Sequence, residues 1–176
     1  MNNWPVFIAA PVVLLAPVAH AAVYLSAEQA QQTIFPGATF APASVSLTGA
    51  QQRAIESRSG VSIRSREQKI WRASGGPSGG GWFILDEVTG KHDLITYAVG
   101  LDPHGTVRGV EILEYRESYG YQIRDAQWRG QFRGKKAGDP LRLDADIRNI
   151  SGATLSCRHV TDGIKRLLAL YEVVLK

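Results

Sequence analysis

"LITYAVGLDPHGTVRGVEILEYRE", residues 94–117, decides the fold. Ile95, Tyr97, Val99 and Leu101 alternate with Thr96, Ala98 and Gly100, the period-two pattern of a half-buried strand. Asp102, Pro103, His104 and Gly105 then supply turn chemistry, so "TVRGVEILEYRE" reads as the returning antiparallel strand. Upstream, "QKIWRASG" (68–75) and "GWFILDEV" (81–88) read as two further strands around the flexible loop "GGPSGGG" (75–81). Downstream, Cys157, Val160, Ile164, Leu167, Leu168, Tyr171, Val174 and Leu175 fall on one stripe at three- and four-residue spacing. That stripe predicts a long amphipathic C-terminal helix lying against the sheet. Strands followed by a helix, with no βαβ alternation, define an α+β fold: an antiparallel β-meander packed by the C-terminal helix.

Two short helices are expected ahead of the meander. Ser26 with Gln29, and Thr48 with Gln51, are capping-box pairs, in which a hydroxyl and an amide three residues on satisfy each other's main chain. The first helix should stop before Pro36 and the second near Gly60. Residues 22–75 are expected to form an N-terminal helical extension or subdomain, and residues 76–176 the main domain. Between them and the last helix, 118–149 is polar and basic, with a short helix around "RDAQWRGQF" (124–132).

The chain has 176 residues, 44% hydrophobic and 20% charged, with a formal net charge of +4. This is enough for a packed core, and the basic residues do not form the dense runs of a nucleic-acid binder. Residues 4–19 are apolar and lead to Ala19-His20-Ala21, a small-x-small site. They predict a secretory signal peptide cleaved after Ala21 and export to the periplasm, although the segment before it carries no Lys or Arg. An uncleaved anchor is the competing expectation; three prolines and the short apolar run speak against it. The single cysteine, Cys157, excludes an internal disulfide framework, and the four scattered histidines lack zinc-like spacing, so no metal site is expected.

The candidate site is "NISGATLSCRHV", residues 149–160. Three small residues, Ser151, Gly152 and Ala153, lead to Thr154 just where helical periodicity begins. Unpaired N–H groups at a helix start bind phosphate, and small residues keep the approach open. The residues alone leave two readings: a phosphate-bearing ligand at this terminus, or an ordinary loop ending in a Thr or Ser N-cap.

"SGATLS" (151–156) resembles the S/T-G-A-T-x-S/T motif of the FMN-binding domain family, which includes the flavin-carrying subunits of sodium-pumping NADH:quinone oxidoreductase and of the Rnf complex. "EILEYRESYGYQIRD" (111–125) is similar to that family's strand and E-T-P-G-x-G loop, and "WRGQFRGK" (128–135) to its W-x-x-x-F-x-G-K segment. The resemblance implies FMN carried in phosphoester linkage on Thr154, with Ser151, Gly152, Ala153, Leu155 and Ser156 as its loop and Glu117, Ser118, Tyr119 and Gly120 as a second wall. It also implies a magnesium-dependent flavin transferase that takes the FMN unit from FAD and releases AMP. Two positions depart from the family pattern: Arg148 stands where members often carry Asp, with Asp146 the nearest upstream acid, and Tyr119 stands where Pro is common.

Five other features are weighed against the site. Cys157 falls on the apolar stripe and reads as a buried thiol rather than a redox group. Trp128 reads as core before it reads as a flavin neighbour, and Arg148 and Arg158 flank the motif as phosphate partners or as solvated cations. His159 reads as structural or surface. Arg124, Arg129, Arg133, Lys135 and Lys136 read as a solvated face, with docking to an acidic partner as the alternative. The sequence therefore points to an exported covalent FMN carrier rather than an independent enzyme, taking electrons from a membrane-bound redox partner through which alone it meets the membrane. The alternative is a flavin-free or non-covalently FMN-binding envelope interaction module with the same fold.

Overall fold

A computed structural model describes residues 22–77 and 79–176; the expected signal peptide, 1–21, lies outside the described residues. The meander is β4 (Glu67–Ser74), β5 (Gly81–Thr89), β6 (Leu94–Leu101) and β7 (Val107–Tyr115), every neighbour antiparallel. The N-terminal segment adds β1 (Ala22–Val23), β2 (Thr39–Pro42) and β3 (Val45–Ser46). The sheet runs β1-β7-β6-β5-β4-β2, with β3 also on β4. Residues 22–75 are thus not helical alone: they supply both outer strands and the whole of β4, and the expected boundary after residue 75 falls within one continuous sheet. Pro42 ends β2 at the sheet edge, where a missing N–H costs no ladder bond.

Both capping boxes form. Ser26 and Gln29 start α1 (Ala27–Ile34), and Thr48 and Gln51 start α2 (Gly49–Ser59). After β7 the chain makes a short 3-10 turn (Tyr121–Arg124), then α3 (Ala126–Gly130), then an irregular run to α4 (Thr154–Leu170). The apolar stripe of α4 is buried as its spacing predicts: Cys157, Val160, Ile164, Leu167 and Leu168 are at most 1% exposed. Each such fully buried aliphatic contributes about 1.5–3 kcal/mol. The final turn, Tyr171–Leu175, widens to π geometry, and the Tyr171 hydroxyl donates to the Pro103 carbonyl at 2.7 Å.

The sheet is covered on both faces. One face packs Ile95, Tyr97 and Val99 against α4. On the other, Ala98 and Phe83 meet Ala30 and Ile34 of α1 and Phe35, its C-cap residue. The central strand is therefore buried on both sides rather than half-buried. Its small residues are clearance for a helix, not a solvent face: a Cβ on Gly100 would lie 2.2 Å from Ile34 Cγ2.

Candidate functional site

Thr154 is the first residue of α4, and Ala153 occupies the N-cap position with no side chain capping the helix. The main-chain N–H groups of Thr154, Leu155 and Ser156 meet no acceptor among the described residues. The Thr or Ser N-cap that local physics allowed is therefore not formed, although α1 and α2 each begin with a capping box. Gly152, with φ of +81°, turns the chain into the helix in a conformation that favours glycine. The Thr154 side chain is half-buried, and its hydroxyl accepts a 3.2 Å hydrogen bond from the Asn149 amide. One hydroxyl and three N–H groups thus converge at the positive end of a 17-residue helix.

The second wall is fixed to the first by hydroxyls. Tyr115, at the end of β7, donates its hydroxyl proton to the Tyr119 carbonyl, and its oxygen lies 3.1 Å from the buried Ser156 hydroxyl. With the tyrosine proton committed to Tyr119, Ser156 is the donor. Burial pushes the Tyr115 phenol up, so it remains a proton donor. Gly120 lets the loops touch: its φ is +89°, and a Cβ there would lie 2.5 Å from the Ala153 Cβ. A Gly120→Ala variant is expected to lose about 1–3 kcal/mol from left-handed strain and overpacking. On a domain of this size that lowers Tm by roughly 2–12 °C; an unchanged melting curve would contradict the close approach.

Glu117 ties in a third segment. Its carboxylate accepts from the main-chain N–H groups of His92 (2.6 Å) and Asp93 (3.0 Å), in the turn between β5 and β6. Burial alone would raise its pKa, but the donated bonds from His92, Asp93 and Lys91 outweigh it and hold the carboxyl below the usual range. A depressed folded pKa means the tie is fully present above about pH 4.3, the ordinary Glu value, and is lost as pH falls through the lower folded value. In an NMR titration the His92 amide should therefore move with a midpoint below about 4.3. A midpoint at or above it, or no movement, would remove the tie.

These segments enclose a cleft of about 450 Å³, within the size range of ligand sites. Glu117, Ser118, Tyr119 and the run Gly152–Ser156 line it. Two sequence candidates stand differently. Ser151 is exposed and off the lining, and Gly120 is buried behind it as the loop contact. Lys91, His92 and Asp93 also line the cleft, although nothing in the sequence singled them out. They arrive through Glu117, a contact across 24 or more residues that no local pattern signals.

Most of the other weighed residues make structural contacts, while the Arg148 and Arg158 side chains are exposed. Cys157 is buried, and burial raises its thiol pKa, the opposite of an activated thiolate. Trp128 packs edge-on against Phe132 and donates its indole N–H to the Arg148 carbonyl at 2.8 Å. The Arg148 main-chain N–H donates to Gln131 Oε1 at 2.7 Å, leaving its side chain exposed. Asp146 is engaged by Lys135 and by the main chain of Leu141 and Arg142. The basic run is not simply a solvated face: Arg129 pairs with Glu111 and braces the Val110 and Arg124 carbonyls. Arg124 lies over the Tyr24 ring, 3.2 Å from its centroid. His159 Nδ1 meets the Thr89 and Gly90 carbonyls, pinning the β5–β6 turn to α4.

Comparison with known proteins accords with this geometry. Residues 90–169, which hold β6, β7, both loops and most of α4, match the model of the FMN-binding domain family. The fold is similar to that of NqrC from Shewanella oneidensis, with a TM-score of 0.54 at 15% identity over 82% of this chain and 88% of that one. No curated protein sequence matches.

Proposed function

We propose that this chain is an exported electron-transfer protein whose FMN is bound covalently through Thr154. The observation that carries the reading is the uncapped start of α4, which presents a hydroxyl and three unpaired N–H groups inside the cleft. That donor set suits a phosphate monoanion, as helix N-termini do generally. In the attachment step Thr154 Oγ bonds to the FMN phosphorus of FAD and the pyrophosphate P–O bond breaks. AMP leaves with the bridging oxygen, and the hydroxyl proton is released. A separate flavin transferase performs it, as the family resemblance implies, acting on a Thr154 hydroxyl whose one side-chain hydrogen bond comes from Asn149.

Bound FMN supplies the one- and two-electron chemistry, while this chain supplies position and electrostatics. Thr154 and the α4 N–H groups would hold the phosphate, and Glu117 sets the Lys91–Asp93 turn on the cleft wall. Covalent attachment fits export, because a cofactor outside the cytoplasm is lost if it dissociates. The donor is proposed to be a membrane-bound redox partner, and the chain meets the membrane through that partner.

One observation favours a second reading, a flavin-free or non-covalent module: the exposed Arg148 at a position where the family often has Asp. Denaturing gel electrophoresis of protein co-expressed with a flavin transferase separates the two. Yellow fluorescence migrating with the chain is expected; a fluorescent chain before denaturation and a dark one after it would leave only non-covalent binding.

A further inference from the structure

Tyr119 is 80% exposed, a large aromatic left in water on the wall of the cleft. Its main chain is anything but loose. The carbonyl takes the Tyr115 hydroxyl proton, Glu117 two residues earlier is tied to the β5–β6 turn, and Gly120 is seated against Ala153. The backbone is thus held on three sides while the ring makes no hydrogen bond of its own among the described residues. On the other loop Leu155, next to Thr154, is also exposed, at 39%, and lines the same cleft. A rigid loop that presents an uncommitted aromatic face beside an uncommitted aliphatic one is built to receive a flat apolar body.

We propose that Tyr119 is the face on which the isoalloxazine ring of the attached FMN stacks, with Leu155 as the second apolar wall. The inference rests on attachment at Thr154 and adds a positioning role that the attachment does not require. An FMN anchored by its phosphate at the helix start has its ring at the end of a flexible ribityl chain, and a fixed aromatic surface within the cleft selects one orientation. The phenol is electron-rich, so stacking favours the electron-poor oxidised ring over the reduced one and lowers the potential. Tyr119 in a stack also lends an electron to the photoexcited ring and recovers it on return to the ground state, which removes fluorescence without net chemistry.

The test compares wild type, Tyr119→Phe and Tyr119→Ala, each co-expressed with a flavin transferase. Three quantities are read: attached FMN by intact mass, fluorescence yield per attached flavin, and midpoint potential. An 80% exposed side chain is not needed for folding, so all three proteins should load alike. Tyr119→Ala should raise both fluorescence, severalfold, and potential. Tyr119→Phe keeps an aromatic face but loses the phenol donor, so its fluorescence should rise while its potential moves only part of the way towards that of Tyr119→Ala. Full loading with fluorescence unchanged in both variants would overturn the stacking and leave attachment standing. A wild-type chain that takes up no flavin would overturn attachment and stacking together.

Discussion

Thr154→Ala is expected to abolish covalent flavin while leaving the fold unaltered. The threonine makes one side-chain hydrogen bond, the 3.2 Å contact from Asn149, and it sits half-buried at the first position of α4. Alanine is the best intrinsic helix former, and the cap at this end is already absent, so no capping bond is lost. The stability change should lie within about 0.5 kcal/mol, the usual range for a substitution away from core, cap or network. Covalent FMN, by contrast, should fall to background, because the neighbouring hydroxyls are not substitutes. Ser156 is buried and bonded to Tyr115, and Ser151 is exposed and not part of the cleft lining. Circular dichroism and absorbance at the flavin band on denatured protein check the two halves of this expectation separately. Flavin retained on the variant would move the attachment site elsewhere.

The second large effect is on stability and lies at the other end of α4. Arg166, 4% exposed, pairs with Asp86 of β5 at 2.5 Å, and the fully buried Tyr97 of β6 donates its hydroxyl to the same carboxylate oxygen. Arg166 also donates to the Ser62 carbonyl at 3.1 Å, so one guanidinium ties α4 to the sheet and to the segment after α2. Burial opposes the guanidinium charge, and Asp86 and Tyr97 together more than offset it, while burial pushes the Tyr97 phenol well up. Gly163 makes the approach possible, since a Cβ there would lie 2.2 Å from the Tyr97 hydroxyl. Arg166→Ala leaves Asp86 charged with its partner gone, which for a buried pair costs about 3–5 kcal/mol. Asp86 keeps some solvent access, so the low end, about 3 kcal/mol, is expected, or roughly 6–12 °C in Tm. An Asp86→Leu/Arg166→Met double variant should recover much of that loss. Equal destabilisation of single and double variants would show that the cluster acts by packing alone.

The parts of the fold legible in the sequence are those whose signals are local. The capping boxes need only a hydroxyl and an amide three residues apart, and the β6–β7 hairpin needs alternation on either side of Asp102–Gly105. Strands β1 to β3 are two to four residues long and pair with residues far along the chain, so they leave no periodicity to read. The small face of β6 reads as solvent-facing because period-two reasoning cannot distinguish a residue small for water from one small for a helix.

The site divides in the same way. Thr154 at the head of a helix is visible in "SGATLS", and the facing loop is visible through its resemblance to the family. What local reasoning inverts is the cap. It expects a hydroxyl to close a helix start, and here Ala153 leaves the start open, which is the feature a phosphate needs. The Lys91–Asp93 wall is invisible because it reaches the cleft only through the Glu117 carboxylate.

The most direct test of the account is intact mass of the chain co-expressed with a flavin transferase, followed by peptide mapping across residues 149–158. One added FMN unit, placed by fragmentation on Thr154, is the predicted result. An unmodified peptide alongside a reference substrate that the same transferase has loaded would contradict it, and would turn attention to Arg148 at the entrance to the motif.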